Sequence, residues 1–344
     1  MTFIGVDWMD ACFSEDYLVS GSDYADIMNT VVLPWLEAKQ QVQMLSGYQG
    51  RPLYCVSFDA DQPVGTVFIV HGFTENAFKY AELIWSLLHL RYSVVIYDQR
   101  GHGRSWRPEG LPDISVTHVD HFSDYVEDLR IVCEAYASRM SGPRFLFAHS
   151  MGGAVAALYL EQHPAFFSGA VFSSPMIAPN VGGIPVGMAA AVASLACRFG
   201  RGKQNPFFLK PYAGPEDFET SCATDPARFA WYESVREKYP EFRNSVPSYR
   251  WSLEAIHVTE KILAPGEPEK ITCPVLLFSA GIDGSVLPEP QALFVSRIVD
   301  GTQIHVPDAK HEIFRSVNNV LFPWWHRVIG FYAGISSRRA AVKE

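Results

Sequence analysis

Cysteine is scarce and unpatterned in this chain. The six cysteines, Cys12, Cys55, Cys133, Cys197, Cys222 and Cys273, form no C-x-x-C pair and no metal-ligand spacing, which argues against a zinc module or a disulfide scaffold. They read as buried thiols of a protein kept in a reducing compartment. A basic surplus is also missing: 28 Lys and Arg stand against 37 Asp and Glu, for a formal net charge of -9. Nucleic acid, or an anionic membrane held by overall charge, is therefore not an expected partner. The acidic N-terminus, MTFIGVDWMDACFSEDY, has neither a basic leader nor an apolar signal core. The expectation is a cytoplasmic protein, at most peripheral to the inner membrane face. The most apolar later stretch, GIPVGMAAAVASLACRFG (183–200), falls short of the roughly 20 apolar residues of a spanning helix. Only one basic residue, Arg198, accompanies it, so it reads as a buried helix rather than an interfacial one. There is no internal repeat and no low-complexity tract.

What is present suits a large α/β core. Of 344 residues, 48% are hydrophobic and 19% charged, as in soluble globular chains. Short β-branched and aromatic runs alternate with helical patterns: PLYCVSF, GTVFIVHG, KYAELIWSLLHLR, YSVVIYDQRGHG, SDYVEDLRIVCEAYASRM, RFLFAHS, GAVFSSP, CPVLLFSAGIDGS and TQIHVPDAKHE. Continuous apolar runs such as VFIV and VLLF are what strands look like when helices cover both faces. The expected fold is thus a mostly parallel, doubly wound sheet. Residues 1–45 read as an N-terminal extension, with TVVLPWLEAKQQVQML its most helix-like piece. The core spans 46–175 and 269–334. Residues 176–268, rich in proline and aromatics and without an apolar strand run, read as an inserted cap over the binding crevice.

The chemistry concentrates where the run RFLFAHS meets the helix read from Gly152. A serine between small residues at a sharp strand-to-helix turn is the context of a nucleophile elbow. Ser150 is flanked by Ala148, His149, Met151, Gly152 and Gly153; Ala148 stands where such turns commonly have glycine. A serine hydroxyl needs a histidine to take its proton and a carboxylate to orient that histidine, here in the chain order Ser, acid, His. His311, in the loop after the last strand run, is the candidate base, while His305 is expected to pack within its strand. Asp283, in SAGIDGSV after the CPVLLF strand, is the candidate acid, with Asp300 and Asp308 as rivals. An oxyanion needs two donors. Met151 N–H supplies one, and Phe73 N–H, after the sharp turn allowed by Gly72, supplies the other. His71 and His149 read as loop-bonding histidines, Glu75 as loop scaffold or polar wall, and DQRGHGRS as a structural turn, since its spacing matches no phosphate-cradling loop.

Together HGFTE (71–75), YDQRGHGRS (97–105), AHSMGG (148–153), GIDGSV (281–286) and KHEIFRS (310–316) resemble the α/β-hydrolase superfamily, in its lysophospholipase and monoacylglycerol lipase group of serine hydrolases. The resemblance covers about Tyr54 to Pro175 and Lys270 to Ile329. It implies an α/β-hydrolase fold, Ser150 as nucleophile with Asp283 and His311 as partners, Phe73 and Met151 as oxyanion donors, and a cap that forms the acyl-chain pocket. The implied reaction is cleavage of a carboxylic ester of a single acyl chain through an acyl-enzyme, with no metal or organic cofactor. The expected partner is a small acyl ester or lysolipid, with at most transient membrane-surface contact through the cap. Three alternatives remain open at this point: a hydrolase scaffold turned into an inactive binding or signalling module, a cofactor-free perhydrolase, and a C–C bond hydrolase.

Overall fold

The structure, a computed structural model, describes residues 17–341 apart from Ser20, Ser22 and Ser141. The expectations attached to residues 1–16, Cys12 among them, lie outside the described residues. The chain enters through α1 (Tyr24–Ile27), a π turn at Met28–Val32 and α2 (Leu33–Lys39). Then follow β1 (Gln40–Ser46), β2 (Pro52–Phe58), β3 (Gly65–Val70), α3 (Ala81–His89), β4 (Tyr92–Tyr97), β5 (Val116–Thr117), α4 (Ser123–Ala137), β6 (Arg144–His149), α5 (Met151–Gln162) and β7 (Gly169–Ser173). The segment after β7 holds α6 (Val186–Arg198), α7 (Pro226–Lys238), β8 (Val246–Pro247) and α8 (Tyr249–Ile262). The chain closes with β9 (Val275–Ile282), α9 (Pro288–Ser296), β10 (Gly301–Lys310) and α10 (Asn318–Ala341).

Among the described residues the main sheet has eight strands in the order β1-β2-β4-β3-β6-β7-β9-β10. The pairings of β2 with β1 and β4 are antiparallel, and all the others are parallel. Every residue of β3, β4 and β7 is buried, as strands covered on both faces must be. Successive residues of a strand point to opposite faces, and this splits the interior into two cores. Val94, Phe147 and Phe278 pack with Leu87 of α3 and Trp325 of α10 on one face. Val95, Leu146 and Leu277 pack with Leu129 of α4 and Phe294 of α9 on the other.

Three local expectations need correction. TVVLPWLEAKQQVQML is helical only to Lys39; at Gln40 the backbone turns extended, and Gln40–Ser46 pairs antiparallel with β2. Its glutamines suit an edge strand, which keeps one side in solvent. His305 does not pack within a covered strand, because β10 is the opposite edge and His305 is exposed there. The helix in 183–200 is not buried either: of α6 only Ala193 is buried, while Met188 is 57% and Leu195 56% exposed. Its small residues let one side approach α8, and the larger apolar side chains are left uncovered by protein. The cysteines also divide. Cys55, Cys133 and Cys273 are buried free thiols, whereas Cys197 and Cys222 are half-buried.

Candidate active site

Ser150 sits between the end of β6 and the start of α5 with φ 51° and ψ -120°. That left-handed conformation is uncommon for a side-chain-bearing residue. Neighbouring backbone holds it in place: Ser150 N–H donates to Ser173 O, and Ser150 O accepts from Gly153 N–H and Met176 N–H. The tight turn presses α5 against β3, so that a Cβ on Gly152 would come 2.1 Å from the Val70 carbonyl oxygen. No larger residue fits there. Ala148 is fully buried without disturbing the turn.

Strand register brings the other two groups together. In the parallel pairing of β10 with β9, after an irregularity between Val306 and Lys310, Lys310 lies opposite Ile282. The next residue of each strand is His311 and Asp283. His311 Nδ1 lies 2.8 Å from Asp283 Oδ2, and His311 Nε2 lies 2.8 Å from Ser150 Oγ. Asp283 Oδ1 accepts from the N–H groups of Ser285 and Val286. Burial pushes the Asp283 carboxyl up, but the hydrogen bond and charge of His311 and these two N–H groups outweigh it, so its pKa is lowered. With one carboxylate oxygen held by backbone and the other on Nδ1, Nε2 faces the serine. Of the rival acids, Asp308 is exposed within β10, and Asp300 precedes that strand at the far end of the sheet.

The candidate donors flank Ser150. Met151 begins α5, and Phe73 follows Gly72 in the loop after β3; among the described residues neither N–H is bonded to a protein acceptor. Gly72 runs against the serine, since a Cβ there would be 3.0 Å from Ser150 Cβ. Gly72 N–H donates to Glu75 Oε2 at 2.6 Å, so Glu75 is loop scaffold. His71 is also built into the loop. Its Nε2 accepts from Gln99 N–H and its Nδ1 lies 2.8 Å from Gly72 O. His149 turns away from the serine to bring Nδ1 within 2.9 Å of Ser173 O. Burial lowers its pKa to about 4, against the pull of Glu75, so it is neutral at pH 7. In DQRGHGRS, the buried Asp98 carboxylate accepts from Ala77 N–H and Arg104 N–H, which makes this a structural turn.

Against the loops that carry Phe73 and Asp283, the segment between β7 and β9 lines a cavity of about 510 Å³. Met188, Val192, Phe207, Phe208, Trp251 and Ile256 are among its lining, and no lining side chain is charged. It abuts the site at two points. The Trp251 ring lies 4.2 Å from that of Phe73, and Pro179 bridges to Val286 in the Asp283 loop. Among the described residues no group of three His, Cys, Asp or Glu is arranged to hold a metal ion. Sequence reasoning left Glu75 ambiguous and did not single out Lys79, Glu312 or Arg315, which join it in a buried ion-pair chain. The only signal in the sequence was charge placed immediately beside HGFTE and His311.

The chain has clear counterparts among known proteins. The family model Hydrolase_4, described as serine aminopeptidase, S33, matches residues 61–318. Lysophospholipase L2 of Escherichia coli (strain K12) is 32% identical over 246 residues, 68% of this chain and 68% of that protein. Human monoglyceride lipase is 33% identical over 146 residues, 41% of this chain and 45% of that one. Among solved structures, the monoacylglycerol lipase of Paleococcus ferrophilus superimposes with a TM-score of 0.62 at 25% identity, covering 83% of this chain and 98% of its own.

Proposed function

The chain belongs to the Hydrolase_4 family and is a carboxylic ester hydrolase, and from that premise we propose that it cleaves esters of a single acyl chain, lysophospholipids or monoacylglycerols, through a Ser150 acyl-enzyme. The observation that carries this reading is the unbroken line from Ser150 Oγ through His311 to Asp283, with 2.8 Å at each junction. His311 Nε2 takes the serine proton as Oγ attacks the ester carbonyl, and Asp283 stabilises the imidazolium that forms. The carbonyl oxygen becomes an anion facing Phe73 N–H and Met151 N–H, two donors already in place and unspent. His311 then returns the proton to the leaving alcohol. A water repeats the sequence on the acyl-enzyme.

The cavity supports an acyl ester over a peptide. A substrate amine would need a carboxylate to hold it, and none lines this space. An alkyl chain gains about 0.8 kcal/mol for each CH₂ buried in such surroundings. We take 176–268 as a cap whose apolar interior receives that chain.

The cap's outer face supports contact with the surface of an anionic lipid layer. Phe199 is 73% and Leu195 56% exposed, and neither lines the cavity. Between Met176 and Pro215 the sequence has Arg198, Arg201, Lys203 and Lys210 and no acidic residue. Apolar side chains among cations on an otherwise acidic protein suit a peripheral, reversible attachment. The test of function is a panel of acyl esters, lysophospholipids, monoacylglycerols and peptide amides assayed beside Ser150→Ala. Turnover confined to the single-chain esters and lost in the variant is the expected result. Amide cleavage alone would overturn the reading.

A further inference from the structure

A buried chain of charges runs behind the reacting groups, and the proposed reaction does not use it. Lys79 Nζ lies 3.0 Å from Glu75 Oε1 and 2.5 Å from Glu312 Oε1. Glu312 Oε2 in turn lies 2.6 Å from Arg315 NH1, and Arg315 NH2 donates to the carbonyl of Arg228 in α7. Glu75, Lys79, Glu312 and Arg315 are all buried. Such a row of charges is costly to remove from water and is a poor source of stability by itself. What it offers is fixed geometry, and its two ends are informative.

At one end Glu75 Oε2 accepts from Gly72 N–H and from Tyr80 OH, each at 2.6 Å. Gly72 immediately precedes the donor Phe73 and presses on Ser150 Cβ. At the other end Glu312 is the residue after His311, and its own N–H donates to Cys222 O. Lys79, 233 residues before Glu312 in sequence, therefore joins two loops, one carrying an oxyanion donor and the other the base. Between them lies His149, with Nε2 3.7 Å from Glu75 Oε1 and its ring 4.8 Å from the His311 ring. Among the described residues no other ion pair directly links the Phe73 loop to the His311 loop.

We propose that Glu75, Lys79 and Glu312 form a positioning strut that fixes the distance between the oxyanion-donor loop and the His311 loop, so that its rupture lowers turnover without weakening substrate binding. The proposal rests on the roles given above to Phe73, Ser150 and His311. Charge supports it: burial works against the Lys79 ammonium, but Glu312 and Glu75 reverse that and raise its pKa, and Lys79 together with Arg315 lowers that of Glu312. All three groups are ionised at neutral pH and the strut is intact there. None of the strut residues lines the cavity assigned to the acyl chain. They act through Gly72 and His311, where a displacement of about 1 Å can cost on the order of 100-fold in rate.

The test is steady-state kinetics on a soluble short-chain ester with Lys79→Met, Lys79→Arg, Glu75→Gln, Glu312→Gln and the Glu75→Gln/Glu312→Gln pair, together with the labelling rate of each by a fluorophosphonate. The expected pattern is kcat and labelling down about 10- to 100-fold in Lys79→Met with KM within about 3-fold, and near-full activity in Lys79→Arg, which keeps both ion pairs. The two glutamine variants should be non-additive, because either one breaks the same strut. Additive losses, or a rise in KM at constant kcat, would overturn the proposal. So would unchanged kcat and labelling in the glutamine variants, which are near-isosteric and keep the fold testable if Lys79→Met is unstable. Ser150→Ala separates the two levels. If it keeps turnover, the assignment of the reacting serine falls; if it is dead while the strut variants behave as wild type, only the strut falls.

Discussion

Lys310 lies opposite Ile282 in the β10–β9 register, and this single pairing sets His311 beside Asp283. Parallel strands deliver the residues after their C-terminal ends to one edge of the sheet, where ligands of such sheets bind. The same edge receives Ser150 at the end of β6. Three residues far apart in the chain thereby meet without any of them lying in a long loop.

Removing any one of the three groups used by the proposed mechanism should therefore collapse turnover. Ser150→Ala and His311→Ala are each expected to lower kcat by at least about 10⁴-fold, and Asp283→Asn by about 10³- to 10⁴-fold. KM should change far less. Because the pKa of Asp283 is lowered in the folded protein, its share of stability is full above the ordinary carboxylate range and is lost only as pH falls through the lowered value. The stability deficit of Asp283→Asn against wild type should accordingly be full near pH 6 and shrink towards pH 3, as read by denaturant titration across that range.

Gly152→Ala tests the packing of the elbow. The added methyl would meet the Val70 carbonyl oxygen at 2.1 Å, and neither the strand nor the helix can give way without moving Ser150. The variant should lose about 2 kcal/mol or more of stability and most of its activity. Thermal unfolding and ester turnover measured on one preparation check both.

Glu161, on α5, offers a pH test remote from the site. Burial, with Glu267 adding to it, pushes its pKa up to about 8, and Oε1 has no hydrogen-bond partner. A folded pKa above the unfolded one means stability that is whole below the unfolded value and is lost as pH rises to about 8. Glu161→Gln should thus gain on wild type progressively between pH 5 and pH 8 and hold a constant lead above that, of no more than about 5 kcal/mol. Denaturant melts across that range are the measurement. An advantage independent of pH would contradict the assignment.

Phe199→Ser combined with Arg198→Ser addresses the cap's outer face while leaving the cavity lining intact. Binding to vesicles containing anionic phospholipid should drop at least about 5-fold, and wild-type binding should weaken with added salt. Turnover of a soluble short-chain ester should stay near wild type.

The core of this arrangement was readable from sequence because its signals are local. VFIV and VLLF are apolar without alternation, which only doubly covered strands require, and the Ser150 turn needs its small neighbours within three residues. Asp283 and His311 stand out as candidates because each follows a strand run. The remainder depends on contacts that no local pattern encodes. QQVQML carries helix-compatible glutamines and becomes a strand only because β2 offers an open edge at Gln40. The segment around α6 seemed to hold one cation, yet Arg201, Lys203 and Lys210 follow it among the exposed aromatics. Glu75 stayed ambiguous because one partner in its ion-pair chain, Glu312, lies more than two hundred residues away.

The most direct test of the central claim is fluorophosphonate labelling of the folded protein followed by mass-spectrometric mapping of the adduct. The proposed mechanism predicts one adduct, on Ser150, formed in step with loss of ester turnover and absent when the protein is denatured before the probe is added. Labelling elsewhere in step with inactivation, or full turnover with Ser150 already modified, would contradict it.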